Sequence, residues 1–77
     1  MENEINAGYI IIDKTRIGNV EIALAHRPTA VQPYVTWKCR ANTGDYNWGH
    51  YFTKEANARN DYAKRIKQEK SRLLPER

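Results

Sequence analysis

The sequence predicts an α+β fold, in which an antiparallel sheet of three to four strands is followed by one C-terminal helix packed on one face. Residues 8–27 are rich in β-branched side chains, which favour strands. Residues 34–52 hold most of the aromatic side chains, and residues 54–73 carry apolar side chains at helical spacing. A chain of 77 residues fits a single domain with one small core.

The first two strands form a predicted hairpin, after a flexible tail over residues 1–7. The segments "GYIIIDKTRI" and "VEIALAHR" are separated by Gly18–Asn19, which suits a two-residue type II′ turn with Ile17 opposite Val20. Alternation then assigns one face to Tyr9, Ile11, Ile17, Val20, Ile22 and Leu24. The opposite face takes Lys14, Arg16, Glu21, Ala23, Ala25 and Arg27.

A second predicted hairpin holds the aromatic residues. The two prolines of residues 28–33 exclude a central strand there, so "YVTWKCRA" forms the third strand. The turn "NTGD" precedes a fourth strand, "YNWGHYF", with Ala41 opposite Tyr46. This register predicts one dense core face made of Val35, Trp37, Cys39, Trp48, His50 and Phe52. The predicted sheet covers residues 8–52.

The predicted helix covers residues 53–73. Thr53 is a good N-cap, and a carboxylate in the first turn, Glu55, complements the helix dipole. The apolar stripe consists of Ala58, Tyr62 and Ile66, with Ala63 beside it. Pro75 ends the helix, so residues 74–77 form a tail.

Composition limits the functional classes. The net charge is +4, which suits an acidic partner such as nucleic acid. A single cysteine excludes an internal disulfide, and no signal peptide or membrane-spanning apolar run is present. We therefore expect a cytoplasmic protein with no membrane partner, and a homodimer through an edge strand or the helix end stays open.

The predicted outward sheet face is the main candidate for nucleic-acid binding. It holds Tyr34, Thr36, Lys38, Arg40, Asn47 and Tyr51, and the first hairpin extends it with Lys14, Arg16 and Arg27. Lysine and arginine neutralise phosphates, asparagine and arginine can contact base edges, and tyrosine can stack on bases. The alternative is the ordinary solvated face of an antiparallel sheet. The basic residues of the helix alternate with acidic ones, which favours a solvated helix surface.

Catalytic and metal sites find little support in the sequence. Cys39, His50 and His26 fall on one predicted face, but a zinc site needs four ligands and no suitable spacing supplies a fourth. A Cys39–His50 nucleophilic pair would have no evident orienting carboxylate. We expect no metal, no cofactor and no enzymatic activity.

The segment "WGHYFTKEANARNDYA", residues 48–63, resembles the end of the AP2-type DNA-binding domain. In that family the last strand ends with an aromatic residue, a glycine and a phenylalanine, before a capped helix that carries alanine and tyrosine. The matching positions are Gly49, Phe52, Thr53, Ala58 and Tyr62, with one residue more between the glycine and the phenylalanine. The fold is also similar to the integrase arm-binding domains. Both resemblances imply DNA binding through the sheet.

Two functional hypotheses follow. The first is a small nucleic-acid-binding module, for DNA, in an accessory or regulatory role. The second is a protein-interaction module of a mobile element, such as a small inhibitor of a host defence enzyme, because exposed aromatic side chains suit a protein interface equally well. The chain also looks like small uncharacterised proteins of bacterial prophages and conjugative elements.

Overall fold

The computed structural model describes residues 4–41, 43 and 45–73. It contains β1 (Ile5–Asn6), β2 (Tyr9–Ile17), β3 (Val20–His26), β4 (Tyr34–Arg40), β5 (Tyr46–Phe52) and α1 (Glu55–Leu73). The strands form one antiparallel sheet in sequential order. The α+β architecture is confirmed, but the sheet has five strands rather than three to four. Over the described residues, the helix that is present does not have the length and apolarity needed to cross a membrane.

The additional strand is β1, which lies in the segment predicted to be a tail. Ile5 pairs with Ile10, and the connecting residues Ala7 and Gly8 have φ values of 53° and 82°. Positive φ at both central positions is the requirement of a type I′ hairpin turn. The predicted tail is therefore wrong at residues 5–6. Residues 1–3 and the predicted tail at 74–77 lie outside the described residues.

The β2–β3 hairpin has the predicted turn. Ile17 pairs with Val20, and Gly18 has φ 59°, as the first central position of a type II′ turn requires. A bulge interrupts the pairing between Ile11 and Asp13. Because the bulge reverses the alternation, Tyr9 and Ile11 lie on the face opposite Ile17, which corrects their predicted grouping.

Helix α1 packs on the sheet face that carries Ile22 and Leu24. Ala58 and Tyr62 of the predicted stripe are buried against this face, and Ile66 is partly buried there, whereas Ala63 is exposed. The other core members and neighbours on this face are Ile17, Val20, Tyr34 and Phe52.

The face of β4 under the helix is the one predicted to be outward. Tyr34 pairs with Phe52, so the β4–β5 register differs by one residue from the prediction that placed Val35 opposite Phe52. A shift of one residue exchanges the two faces of one strand relative to the other. Tyr34 and Thr36 consequently lie beneath α1, and Trp37 lies on the opposite face.

The sheet face opposite helix α1 is concave and encloses a second hydrophobic core. Tyr9 of β2 lies edge-to-face with Trp37 at a ring distance of 5.7 Å and with Tyr51 of β5 at 6.0 Å. Because β2 and β5 are separated by two strands, this contact requires the sheet to curl. The buried members of this core are Tyr9, Ala25, Val35 and Trp37.

Candidate nucleic-acid interface

The most exposed aromatic ring lies on a distorted part of β5. Trp48 is 67% exposed, although the sequence predicts it in the core. The register passes from Thr36↔His50 to Lys38↔Asn47, so β5 has one residue more than β4 at this point. Trp48 has φ 52°, which is unusual for a bulky residue, and bulges of this kind redirect side chains.

Gly49 explains why the strand bulges here. A Cβ atom at Gly49 would lie 2.9 Å from Nε1 of Trp37 and 3.0 Å from Cε1 of Tyr51. Trp37 is 4% exposed, so its indole already fills the interior beside this backbone. Trp37 thus occupies the interior here, whereas Trp48 projects into solvent.

An open concavity of about 480 Å³ lies beside the Trp48 ring. We call it the Trp48 concavity, and it is lined by Val20, Lys38, Cys39, Arg40, Thr43, Asp45, Asn47 and Trp48. Its lining combines one indole, two cations, one carboxylate and several neutral polar groups. This composition can accept an aromatic ring together with an anionic group.

Three hydrogen bonds hold Thr43, Asp45 and Asn47 at the rim of the concavity. The hydroxyl of Thr43 donates to the Arg40 carbonyl oxygen at 2.7 Å and accepts from the Asp45 backbone N–H at 3.2 Å. Asn47 Nδ2 donates to the Asp45 carbonyl oxygen at 3.3 Å. Asp45 is therefore tied through Thr43 to the end of β4 and through Asn47 to β5.

Glu69 of helix α1 holds the ammonium group of Lys38 beside the Trp48 ring. Lys38 Nζ lies 5.6 Å from the centroid of the Trp48 ring and 2.9 Å from Oε2 of Glu69. Arg72 lies 3.5 Å from the same carboxylate oxygen, and its side chain is 70% exposed. Glu69 thus offsets part of the charge of Lys38, whereas Arg40 is exposed and forms no ion pair with any described carboxylate.

Two of the predicted binding residues are held between the sheet and the helix. Thr36 is fully buried and donates its hydroxyl hydrogen to Asp61. Arg65 Nη1 donates to the carbonyl oxygen and the hydroxyl of Thr36, and burial lowers the pKa of the guanidinium. Tyr34 packs on the helix-side core and stacks on His26 at 4.5 Å. The predicted outward face is therefore covered at these positions.

The remaining predicted residues lie away from the concavity. Lys14 forms ion pairs with Glu4 at 2.8 Å and Glu21 at 4.0 Å. These residues do not line the concavity: Lys14, Arg16, Arg27 and Tyr51. Of the nine predicted residues, the structure brings Lys38, Arg40 and Asn47 together around Trp48. The binding role of all nine stays a prediction.

The candidate metal ligands are not on one face. His50 pairs with Thr36, three residues before Cys39 on the same strand, so Cys39 points to the opposite side of the sheet. His50 Nδ1 instead lies 2.9 Å from Asp61 Oδ2. Across residues 4–41, 43 and 45–73, no group of three or more histidine, cysteine or carboxylate side chains is placed to hold a metal ion.

One sequence signal could have identified the exposed indole. An isolated glycine inside a strand pattern indicates a bulge or a close backbone approach, and Gly49 is both. Trp48 precedes that glycine directly, so a bulge there breaks the alternation that assigned it to the core.

Comparison of the chain with protein-family models, with curated proteins and with solved structures gives no match. The resemblance to AP2-type and integrase arm-binding domains therefore stays a prediction.

Proposed function

We propose that the protein is a small nucleic-acid-binding module, with an accessory or regulatory role, that stacks a base on the exposed ring of Trp48. The observation that carries this proposal is an indole, 67% exposed and held at positive φ, beside the cations Lys38 and Arg40. Stacking of a base on an aromatic side chain contributes about 1–3 kcal/mol. A neighbouring arginine can neutralise the phosphate of the same nucleotide.

The charge of the exposed surface supports an anionic partner. Ten lysine and arginine residues among the described residues are exposed: Lys14, Arg16, Arg27, Arg40, Lys54, Arg59, Lys64, Lys67, Lys70 and Arg72. Exposed carboxylates are fewer among these residues: Glu4, Asp13, Asp45 and Glu55. Two of those four form ion pairs, Glu4 with Lys14 and Glu55 with Arg59. The resulting field favours the approach of a polyanion.

The shape of the site favours an unpaired base. A base within a duplex already stacks on both of its neighbours, whereas a base in a single strand has a free face for Trp48. The concavity lies where β4 ends and β5 begins, with Arg40, Asp45 and Trp48 in its lining. Single-stranded DNA or RNA is therefore the form of nucleic acid that suits this site best.

The test measures the affinity of the wild type for labelled single-stranded DNA, single-stranded RNA and duplex DNA at about 50 mM and about 200 mM salt. We expect single strands to bind more tightly than the duplex, and log K to fall with log salt by about 0.7 per phosphate contact. Trp48→Ala should weaken binding by about tenfold. Arg40→Glu should weaken it further at the lower salt concentration.

Arg27→Glu is the matched control, because Arg27 is also exposed and does not line the concavity. It should change the affinity less than Arg40→Glu although the change in net charge is the same. Failure of all three nucleic acids to bind at the lower salt concentration would overturn the proposal and favour the protein-interaction module. Equal effects of Arg27→Glu and Arg40→Glu would exclude the Trp48 concavity as the binding site.

A further inference from the structure

We infer that the Trp48 concavity recognises an unpaired guanine, whose ring stacks on Trp48 while its N1–H and N2–H groups donate to the carboxylate of Asp45. This inference rests on the proposed function, because it names the base that the same site prefers. It starts from the presence of a carboxylate, Asp45, in the lining of a concavity that is otherwise suited to an anion.

A carboxylate at this place disfavours a phosphate next to it and favours a hydrogen-bond donor. Asp45 is exposed and lines the same concavity as Trp48, so a ring stacked on the indole can present its edge to Asp45. Arg40 lines the same concavity, forms no ion pair with a described carboxylate and is available for the phosphate, whereas Lys38 is paired with Glu69. The site thus offers a carboxylate that can accept from a base and a cation that can contact a phosphate.

Asp45 is also held in place on its backbone. Its N–H donates to the Thr43 hydroxyl, and its carbonyl oxygen accepts from the Asn47 amide. The Thr43 hydroxyl in turn donates to the Arg40 carbonyl oxygen at the end of β4. These contacts fix the backbone of Asp45, which limits the positions that its carboxylate can reach and therefore the base edges that it can contact.

Guanine is the base whose free edge fits a carboxylate best. Its Watson–Crick edge presents two adjacent N–H donors, which match the two oxygens of Asp45 in a bidentate contact. Cytosine and adenine present one amino group beside a ring nitrogen acceptor, and thymine and uracil present one N–H between two carbonyl oxygens. Those acceptors would face a carboxylate oxygen. Guanine in a duplex uses this edge for pairing, so the contact requires an unpaired base.

The experiment compares short thymidine oligonucleotides that differ only in the central base, which is guanine, inosine, adenine or thymine. We expect the guanine oligonucleotide to bind about tenfold more tightly than the thymine one, as a bidentate contact provides. Inosine lacks the N2 amino group and should fall between them. Asp45→Asn and Asp45→Ala should each bring the ratio of the guanine affinity to the thymine affinity close to one.

The outcomes separate this inference from the proposed function. Binding that depends on Trp48 but does not distinguish the four oligonucleotides would overturn the inference and leave the proposed function in place. A guanine preference that survives both Asp45 substitutions would overturn the assignment to Asp45. Absence of binding to every oligonucleotide would overturn the inference, and the comparison of single-stranded DNA, single-stranded RNA and duplex DNA described above decides the proposed function. Circular dichroism melting of both variants checks that they fold.

Discussion

Thr36 of β4 and Asp61 of α1 are joined by a hydrogen bond of 2.6 Å between the Thr36 hydroxyl and Asp61 Oδ2. The same carboxylate oxygen lies 2.9 Å from His50 Nδ1, and Arg65 donates to the Thr36 hydroxyl at 3.1 Å. On the other side of the helix, the hydroxyls of Thr15 and Tyr62 are hydrogen-bonded at 2.8 Å. Polar contacts thus flank the narrow apolar stripe of α1 and fix its position on the sheet.

Asp61→Ala should therefore destabilise the protein by about 2 kcal/mol, because it leaves the buried hydroxyl of Thr36 without its carboxylate acceptor. The measurement is denaturant unfolding followed by circular dichroism. Asn60→Ala is the control on the exposed side of the same helix turn and should change stability by less than about 0.5 kcal/mol. Equal losses for the two variants would contradict the importance of the contact.

Helix α1 and the β2–β3 turn can be predicted from local sequence signals. The sheet face that the helix covers cannot be predicted in this way. The helix stripe at Ala58 and Tyr62 and the Ile17↔Val20 pairing depend on spacing within short segments. The choice of face depends on the β4–β5 register, and a loop of a given length does not fix that register when the strand also contains a bulge. Both faces of β4 carry large side chains, so hydrophobic alternation alone cannot select one of them.

The two indoles should differ sharply in their effect on stability. Trp37 is 4% exposed and Trp48 is 67% exposed. Trp37→Ala should cost about 3–5 kcal/mol and leave the protein largely unfolded, because a domain of this size has about that much stability in total. Trp48→Gly should leave stability unchanged or slightly higher, since glycine adopts positive φ without strain.

Urea unfolding of both variants checks this difference. Acrylamide quenching gives an independent measurement: in Trp48→Phe the remaining indole, Trp37, should be poorly accessible to the quencher. A cooperative transition of Trp37→Ala at the wild-type midpoint would contradict the burial of Trp37 on the inner side of the curl.

Gly49→Ala should destabilise the protein by about 1–3 kcal/mol through overpacking. The new methyl group would lie 2.9 Å from Trp37 Nε1 and 3.0 Å from Tyr51 Cε1, closer than Cβ contacts normally are. A smaller ring should relieve the first contact, so the loss should be smaller in a Trp37→Phe background than in the wild type. A double-mutant cycle measures this coupling, and additive effects would exclude the proposed clash.

The β1–β2 turn illustrates a different limit of the sequence. Asn-Gly, Asp-Gly and Gly-Gly are the usual signals of a type I′ turn, and this chain has Ala7–Gly8 instead. A strand of two residues also provides too few side chains for alternation to be seen. Glu4, just before the strand, accepts hydrogen bonds from the side chains of Lys14 and Tyr46, which are distant in sequence. Such long-range contacts cannot be identified from local patterns.

Ala7→Asn should stabilise the protein by about 1 kcal/mol, because alanine at φ 53° is strained and asparagine tolerates the left-handed region. Thermal melting measures the change. The same substitution at the exposed helix position Ala63 should lower stability, since asparagine has the lower helix propensity. Destabilisation by Ala7→Asn would contradict the type I′ turn.

Stability should decline at both ends of the pH range through the contact of Glu4 with Lys14 and Tyr46. The hydrogen bond from Lys14, and then the one from Tyr46, lowers the pKa of Glu4 below its ordinary value of 4.5. A carboxyl group whose folded pKa is lowered contributes stability that is present above its unfolded pKa and is lost as pH falls through the folded pKa. Burial, and then the hydrogen bond to Glu4, raises the pKa of Tyr46 to about 12.

The sign is opposite for Tyr46, because its neutral form is favoured in the folded state. Its contribution is complete below the unfolded pKa of 10 and is lost as pH rises towards 12. The unfolding free energy, measured from pH 2.5 to 11.5, should therefore fall at both ends of this range. Glu4→Gln should make the fall at acid pH smaller, and Tyr46→Phe should make the fall at alkaline pH smaller. Asp45→Asn is the control for the acid end, because Asp45 forms no ion pair with any described residue and should leave that decline unchanged. If Glu4→Gln does not reduce the loss of stability at acid pH, the contacts of Glu4 with Lys14 and Tyr46 do not stabilise the protein.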